Sequence, residues 1–172
     1  MSVAVGNDVN QVTLGTGTLK LDGVLVGFLK GDVTLALNRE VKNFEAGVPL
    51  QTRKRVCIRE GASLRASLAQ MYSDKLLYAL GDGVISTPLA TTSRLSFGGS
   101  SEVDEWTLEF THNVPNTTSS IVVYFYRASP SIAVEIPFRE EDFTVYNAEW
   151  GALADDAQPA GEQYGYVDFI NF

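Results

Sequence analysis

The chain has 172 residues, of which 45% are hydrophobic and 20% charged, and carries a formal net charge of −8. That length suits one domain over residues 1–172 with a core that needs no staples, and that composition excludes intrinsic disorder, collagen-like repeats and a disulfide scaffold built on the single Cys57. No apolar run approaches the roughly 18 residues of a spanning helix, and the opening MSVAVGNDVN lacks the basic and apolar regions of a signal peptide, so neither membrane insertion nor export is expected.

The charge is unevenly placed. Residues 1–90 hold 10 basic and 8 acidic groups (+2), and residues 91–172 hold 3 and 13 (−10), which together give −8. An acidic surface repels nucleic-acid phosphate. Solubility accounts for such a surface; the sharper reading is a polar molecule whose basic end meets the acidic end of a neighbouring copy.

In chain order, Val12–Leu21 alternates around Thr16, Thr18 and Lys20. The turn Asp22-Gly23 then leads into an apolar strand, Val24–Leu29. After Gly31-Asp32, Val33–Val41 sets Val33, Leu35 and Leu37 against Thr34, Ala36, Asn38 and Glu40, as in an antiparallel meander with one wet face. Lys42–Arg55, with Gly47 and Pro49 in its middle and a basic end, is either a long loop or an extended hairpin arm. Val56–Glu60 and Ser63–Leu68 read as two strands, the second with Leu64, Ala66 and Leu68 on its apolar face.

A short amphipathic helix is expected over about 73–80, with Ser73-Asp74 as the N-cap signal, Leu76, Leu77 and Leu80 as the stripe and Gly81 at C′. The chain then reads as irregular until Arg94–Phe97. Val103–Thr111 alternates cleanly, Trp106, Leu108 and Phe110 against Glu105, Thr107, Glu109 and Thr111. Ser120–Arg127 reads as a central strand buried on both faces. Ile132–Phe138 reads as another strand, Arg139–Asp142 as a charged turn, Phe143–Leu153 as the last strand and 155–172 as a tail ending in apolar residues. The expected fold is a mainly antiparallel β-sandwich or β-barrel with one flanking helix.

Catalytic chemistry has little to stand on. His112 is the only histidine and has no nucleophile motif beside it. Cys57 lies inside a strand, where a buried thiol is inert. Two Cys and His residues in total cannot build a zinc site, and the acidic clusters lack the spacing of a calcium loop. The Gly15-Thr16-Gly17 and Gly81-Asp82-Gly83 runs lack the lysine of a phosphate loop, and the basic run Thr52–Arg55 has no aromatic interleaving for nucleic acid. Neither an enzyme nor a cofactor is expected.

Leu21–Thr34, with its Asp-Gly turn and spaced glycines, resembles the opening hairpin of bacteriophage major tail tube proteins. Arg39–Leu50 resembles their arm, and Arg59–Leu64 and Leu76–Gly81 continue the pattern, which covers residues 12–81. The resemblance implies a tail-tube fold, shared with type VI secretion inner tubes. It further implies assembly with copies of itself into six-membered rings stacked as a genome conduit in the virion tail, put together in the host cytoplasm. Tape-measure, terminator and baseplate proteins are then the expected partners, and DNA passes without specific binding.

Physical reasoning leads the same way. About ten strands close on their own side chains, and a water channel needs about 16 or more. A conduit must therefore pool strands from several chains, and head-to-tail contacts do this as rings or filaments. The arm, 42–55, is the expected stacking element, with Phe44, Val48 and Leu50 for apolar contact and Arg53, Lys54 and Arg55 for acidic loops of the next ring. Glu105, Thr107, Glu109 and Thr111 form a candidate lumen face, and Phe169, Ile170 and Phe172 a candidate docking end. Two alternatives stay open: a tail-terminator or capsid-decoration protein, and a glycan-binding sandwich using Trp106, Trp150, Tyr164 and Tyr166.

Overall fold

A computed structural model describes residues 17–27, 29–69, 72–138 and 144–172. The first hairpin joins β1 (Gly17–Leu21) to β2 (Val24–Leu25). Its turn has positive φ at Asp22 (49°) and Gly23 (76°), the geometry that matches strand twist in a two-residue loop. The remaining strands are β3 (Thr34–Ala46), β4 (Gln51–Leu68), β5 (Val84–Leu89), β6 (Thr92–Ser96), β7 (Trp106–Asn113), β8 (Ser120–Pro130), β9 (Tyr146–Leu153) and β10 (Gly165–Ile170), with one helix, α1 (Ser73–Leu80).

The main sheet is antiparallel and runs β2-β1-β7-β8-β9-β4-β3. It forks at β8. One edge of β8 pairs with β7 along its length, while the other takes β10 over Ser120–Phe125 and β9 over Arg127–Pro130. The branches share one core, in which Leu19, Leu108 and Phe125 meet Leu64, Leu68 and Trp150. The period-two reading of these strands holds: Leu64, Ala66 and Leu68 are fully buried, as are Leu108 and Leu19, while their alternating neighbours are not.

Helix α1 closes the core where β7, β8 and β9 meet. Gly81 ends it in the left-handed conformation (φ 74°) and donates its N–H to Leu77 O at 2.9 Å. The carbonyl of Tyr78, one of the orphan acceptors of a helix end, receives the Trp150 indole N–H at 2.9 Å. The ring of Tyr78 meets Trp106 edge-on at 5.2 Å.

Several sequence expectations change. The helix starts at Ser73 with Tyr72 as its N-cap and no side-chain cap bond, because the Ser73 hydroxyl faces that of Ser93 on β6 instead. Val56–Glu60 and Ser63–Leu68 belong to one strand, since Gly61 stays in register opposite Asn38 and does not break the ladder. The stretch before Arg94, expected to be irregular, joins Arg94–Ser96 in the β5–β6 hairpin, a separate two-stranded sheet packed on α1. Only Val24–Leu25 of Val24–Leu29 is a strand, with Leu29 making an isolated bridge to Leu68.

Ile132–Phe138 is no strand. It is bracketed by Pro130 and Pro137 and leaves the sheet after Ser131, whose N–H binds Glu149 O, although Val134 and Ile136 still pack on the core. β8 is central, yet its side chains alternate: Val123, Phe125 and Ala128 are buried and Val122, Tyr124 and Tyr126 only partly so. β9 is not the last strand, because the expected tail supplies β10. The start of Val12–Leu21, the Arg139–Asp142 turn and Phe143 lie outside the described residues.

Candidate assembly interface

β3 and β4 remain paired out to Ala46 and Gln51, so Lys42–Arg55 is a hairpin arm and not a loop. The pairing explains the local choice. Arg39 lies opposite Glu60 and Arg59 opposite Glu40, and both couples form ion pairs, at 2.7 and 3.8 Å. These exposed pairs help fix register more than they add stability. Register shifts at Glu40/Val41 and Phe44/Glu45 mark bulges that bend and twist the arm. The turn holds Gly47 at φ 103°, followed by a cis Val48–Pro49 bond.

All six arm residues singled out in the sequence sit together on this outer half. Phe44 is 62% exposed, Leu50 72%, and Val48 fully exposed. The Arg53 guanidinium donates to Ala46 O at 3.4 Å, while Lys42, Lys54 and Arg55 have no carboxylate in ion-pair reach among the described residues. Leu37, Val41, Val56 and Ile58 add exposed apolar surface lower on the arm. Leu37, expected on a core-facing side with Leu35, is 71% exposed because the arm has already left the body there. Cys57, expected to be buried, lies exposed on the same arm with Sγ 3.4 Å from Glu60 Oε1.

Glu105, Thr107, Glu109 and Thr111 lie on or beside β7, on the face away from the core. Both carboxylates are already engaged: Glu109 with Lys20 at 2.8 Å and Glu105 with Arg127 at 2.7 Å. The Glu105 carboxylate beside it raises the pKa of the Arg127 guanidinium above its ordinary value. Thr107 donates its N–H and hydroxyl to Asp22 at 2.7 and 3.0 Å. Across the sheet the register sets Lys20, Glu109, Tyr124 and Tyr166 in one row. Tyr124 stacks on Tyr166 at 5.1 Å and Tyr126 meets both edge-on. This face is a paired-charge and tyrosine surface, and the tyrosines are a feature that reading β7 alone missed.

The C-terminal residues dock by backbone pairing of β10 on β8, with Asn171 also tied to Ser119 and Thr118. Their side chains stay outside, with Phe169 65% exposed and Ile170 and Phe172 exposed too. The glycan platform does not form. Trp150 is fully buried and Trp106 packs against the core, whereas Tyr166 belongs to the opposite face and Tyr164 spends its hydroxyl on Glu60 O. His112 faces inward between Gly17 and Ile121, and its Nε2 is buried without a partner among the described residues. No group of three potential metal ligands occurs among the described residues, and none of their helices is long and apolar enough to cross a membrane.

No family model matches the chain, and no curated protein matches it in sequence. Solved structures do match. The anti-feeding prophage cap, an AFP tube terminating cap, aligns over 97% of this chain and 98% of its own with a TM-score of 0.52 and 10% identity. The PVC sheath/tube terminator of an extracellular contractile injection system, in the extended state, aligns over 96% and 99% with a TM-score of 0.53 and 11% identity. The fold is that of these tube-terminating proteins. It is mainly antiparallel β with one short helix, as the sequence leads one to expect. At such identity the likeness concerns the fold, which hosts function in its surfaces.

Proposed function

We propose that this chain is a structural subunit of a phage tail or a related injection device, and that copies of it join into rings stacked as the tail tube. The observation that carries this reading is the arm. A paired hairpin that leaves the body with Phe44, Val48 and Leu50 exposed at its outer end, and with Lys42, Lys54 and Arg55 out of ion-pair reach of any carboxylate among the described residues, is costly surface for a solitary protein. The fold likeness to tube terminators, which spans nearly the whole of each chain, supports the same class of assembly.

Six-membered rings, passage of the genome through the lumen, and contact with tape-measure, terminator and baseplate proteins belong to this proposal, as does a place in the virion tail after assembly in the host cytoplasm. Glu105, Thr107, Glu109 and Thr111 then face the lumen. Neutralised carboxylates among tyrosines make that wall polar without a run of free cations to hold phosphate. The role is structural and not enzymatic.

A second reading has its own support. Both matched structures named above are described as ending a tube, so the chain can instead form a single terminal ring. Electron microscopy of the purified chain separates the readings. Long hollow tubes support the tube role, isolated rings support the terminator role, and a field of monomers at every concentration contradicts both.

A further inference from the structure

At the end of the core away from α1, the two branches of the sheet leave a groove of about 600 Å³, the size of pockets that take a compact guest. Val33 just before β3, Leu35 at its start, Leu64 of β4, Phe110 of β7 and Val167 and Phe169 of β10 line it. His112 also lines it, and its Nε2 has no partner among the described residues; an unsatisfied buried polar atom of this kind costs free energy that a guest's backbone group can recover.

We propose that this groove receives the tip of the arm, Phe44 to Leu50, from a second copy of the chain. The inference rests on the ring-forming reading and names the receiving surface. Its first support is geometric. The strand that carries the arm starts at the groove, because Thr34 and Leu35 line the groove and open β3. Leu35 and Phe44 are about nine residues apart on a paired strand, or about 30 Å at about 3.3 Å per residue. The hairpin is held by pairing up to Ala46–Gln51, so its tip cannot return to its own groove. A projection and a recess that cannot meet within one molecule can meet between copies, and where the contact is not reciprocated by the same pair its repetition closes a ring or extends a row.

The second support is chemical. The tip offers the exposed apolar side chains of Phe44, Val48 and Leu50, and the groove is walled by apolar ones. Lys54 and Arg55 flank the tip without a carboxylate in ion-pair reach among the described residues. Asp32 lines the groove and has no cation in ion-pair reach among the described residues. Opposite charges at the rim orient such a contact and suppress wrong ones.

The test is cross-linking in the full chain. Cys57→Ser removes the one native thiol, and Val48→Cys with Thr34→Cys places new ones at the tip and at the groove lip, all three positions exposed. A short bifunctional maleimide should then give a ladder of dimers and higher multimers on a denaturing gel, and adding Phe44→Asp and Leu50→Asp should abolish it while circular dichroism is unchanged. Rings or tubes in the microscope with no ladder would overturn the docking and leave the self-assembly reading intact. No rings and no ladder would overturn both. A monomer whose Thr34→Cys thiol is shielded from alkylation would assign the groove to the chain's own N-terminal residues and also overturn the proposal.

Discussion

Replacing Trp150 by phenylalanine tests how the core is closed. Trp150 is fully buried on β9, and its indole N–H satisfies the Tyr78 carbonyl at the end of α1. Phenylalanine keeps the apolar body but removes that donor. A lost neutral hydrogen bond costs about 1 kcal/mol, and leaving the carbonyl buried and unpaired adds about 1 more. The smaller ring gives up apolar contact and leaves a small cavity, for about 1 kcal/mol further. The expected loss is about 2–3 kcal/mol, against about 3–5 for Trp150→Ala. With a urea slope of about 2 kcal/mol/M, the midpoint should fall by about 1 M with the slope unchanged. Equilibrium unfolding by circular dichroism, at a concentration low enough to keep the chain monomeric, reads this directly. A loss below about 0.5 kcal/mol, the range of ordinary surface substitutions, would refute the claim that this indole ties the helix to the sheet.

Other predictions bear on the sheet's fork, its charges and the arm. Gly165 has φ 150°, and a Cβ there would lie 1.9 Å from Tyr124 O, so Gly165→Ala should detach β10. Hydrogen exchange should then lose protection over Gly165–Ile170 while β7 and β9 keep theirs; retained protection in β10 would contradict the register. Hydrogen bonds from Arg65 hold the Glu149 carboxyl below its ordinary range, so Glu149 contributes stability that is present above about pH 4.3 and is lost as pH falls through its lowered value. Arg65→Met should therefore move the onset of acid unfolding to higher pH, and an unmoved acid limb would mean the pair is idle. Reversing Arg53, Lys54 and Arg55 together to glutamate should stop assembly and leave the monomer's circular dichroism unchanged, because all three are exposed; assemblies of normal length would reject the arm's role.

The features legible in the sequence were those with a local physical cause. Gly81 can end a helix in the left-handed region, Asp22-Gly23 can turn in two residues, and strict alternation at Leu64–Leu68 and Trp106–Phe110 marks strands with one wet face. The arm was visible as a long apolar and basic stretch, but only cross-strand pairing, Arg39 with Glu60 and Arg59 with Glu40, decides for a hairpin over a loop. What stayed hidden depends on distant partners. The β5–β6 hairpin turns at Ala90-Thr91, where no glycine or Asn/Asp marks a turn, and its strands alternate poorly. The C-terminal segment reads as a tail because its strand is set by β8, and the fork of β8 between β9 and β10 leaves no trace in β8's own residues. The same holds for the groove, whose walls come from β3, β4, β7, β8 and β10 and meet only in the folded chain.

Sedimentation velocity of the purified chain over a wide concentration series measures its self-association most directly. Joining of copies through arm and body predicts that the 18.7 kDa monomer gives way to much faster species as concentration rises, and that raised salt reverses the shift by screening the basic tip. A single 18.7 kDa boundary at every concentration and ionic strength would contradict it.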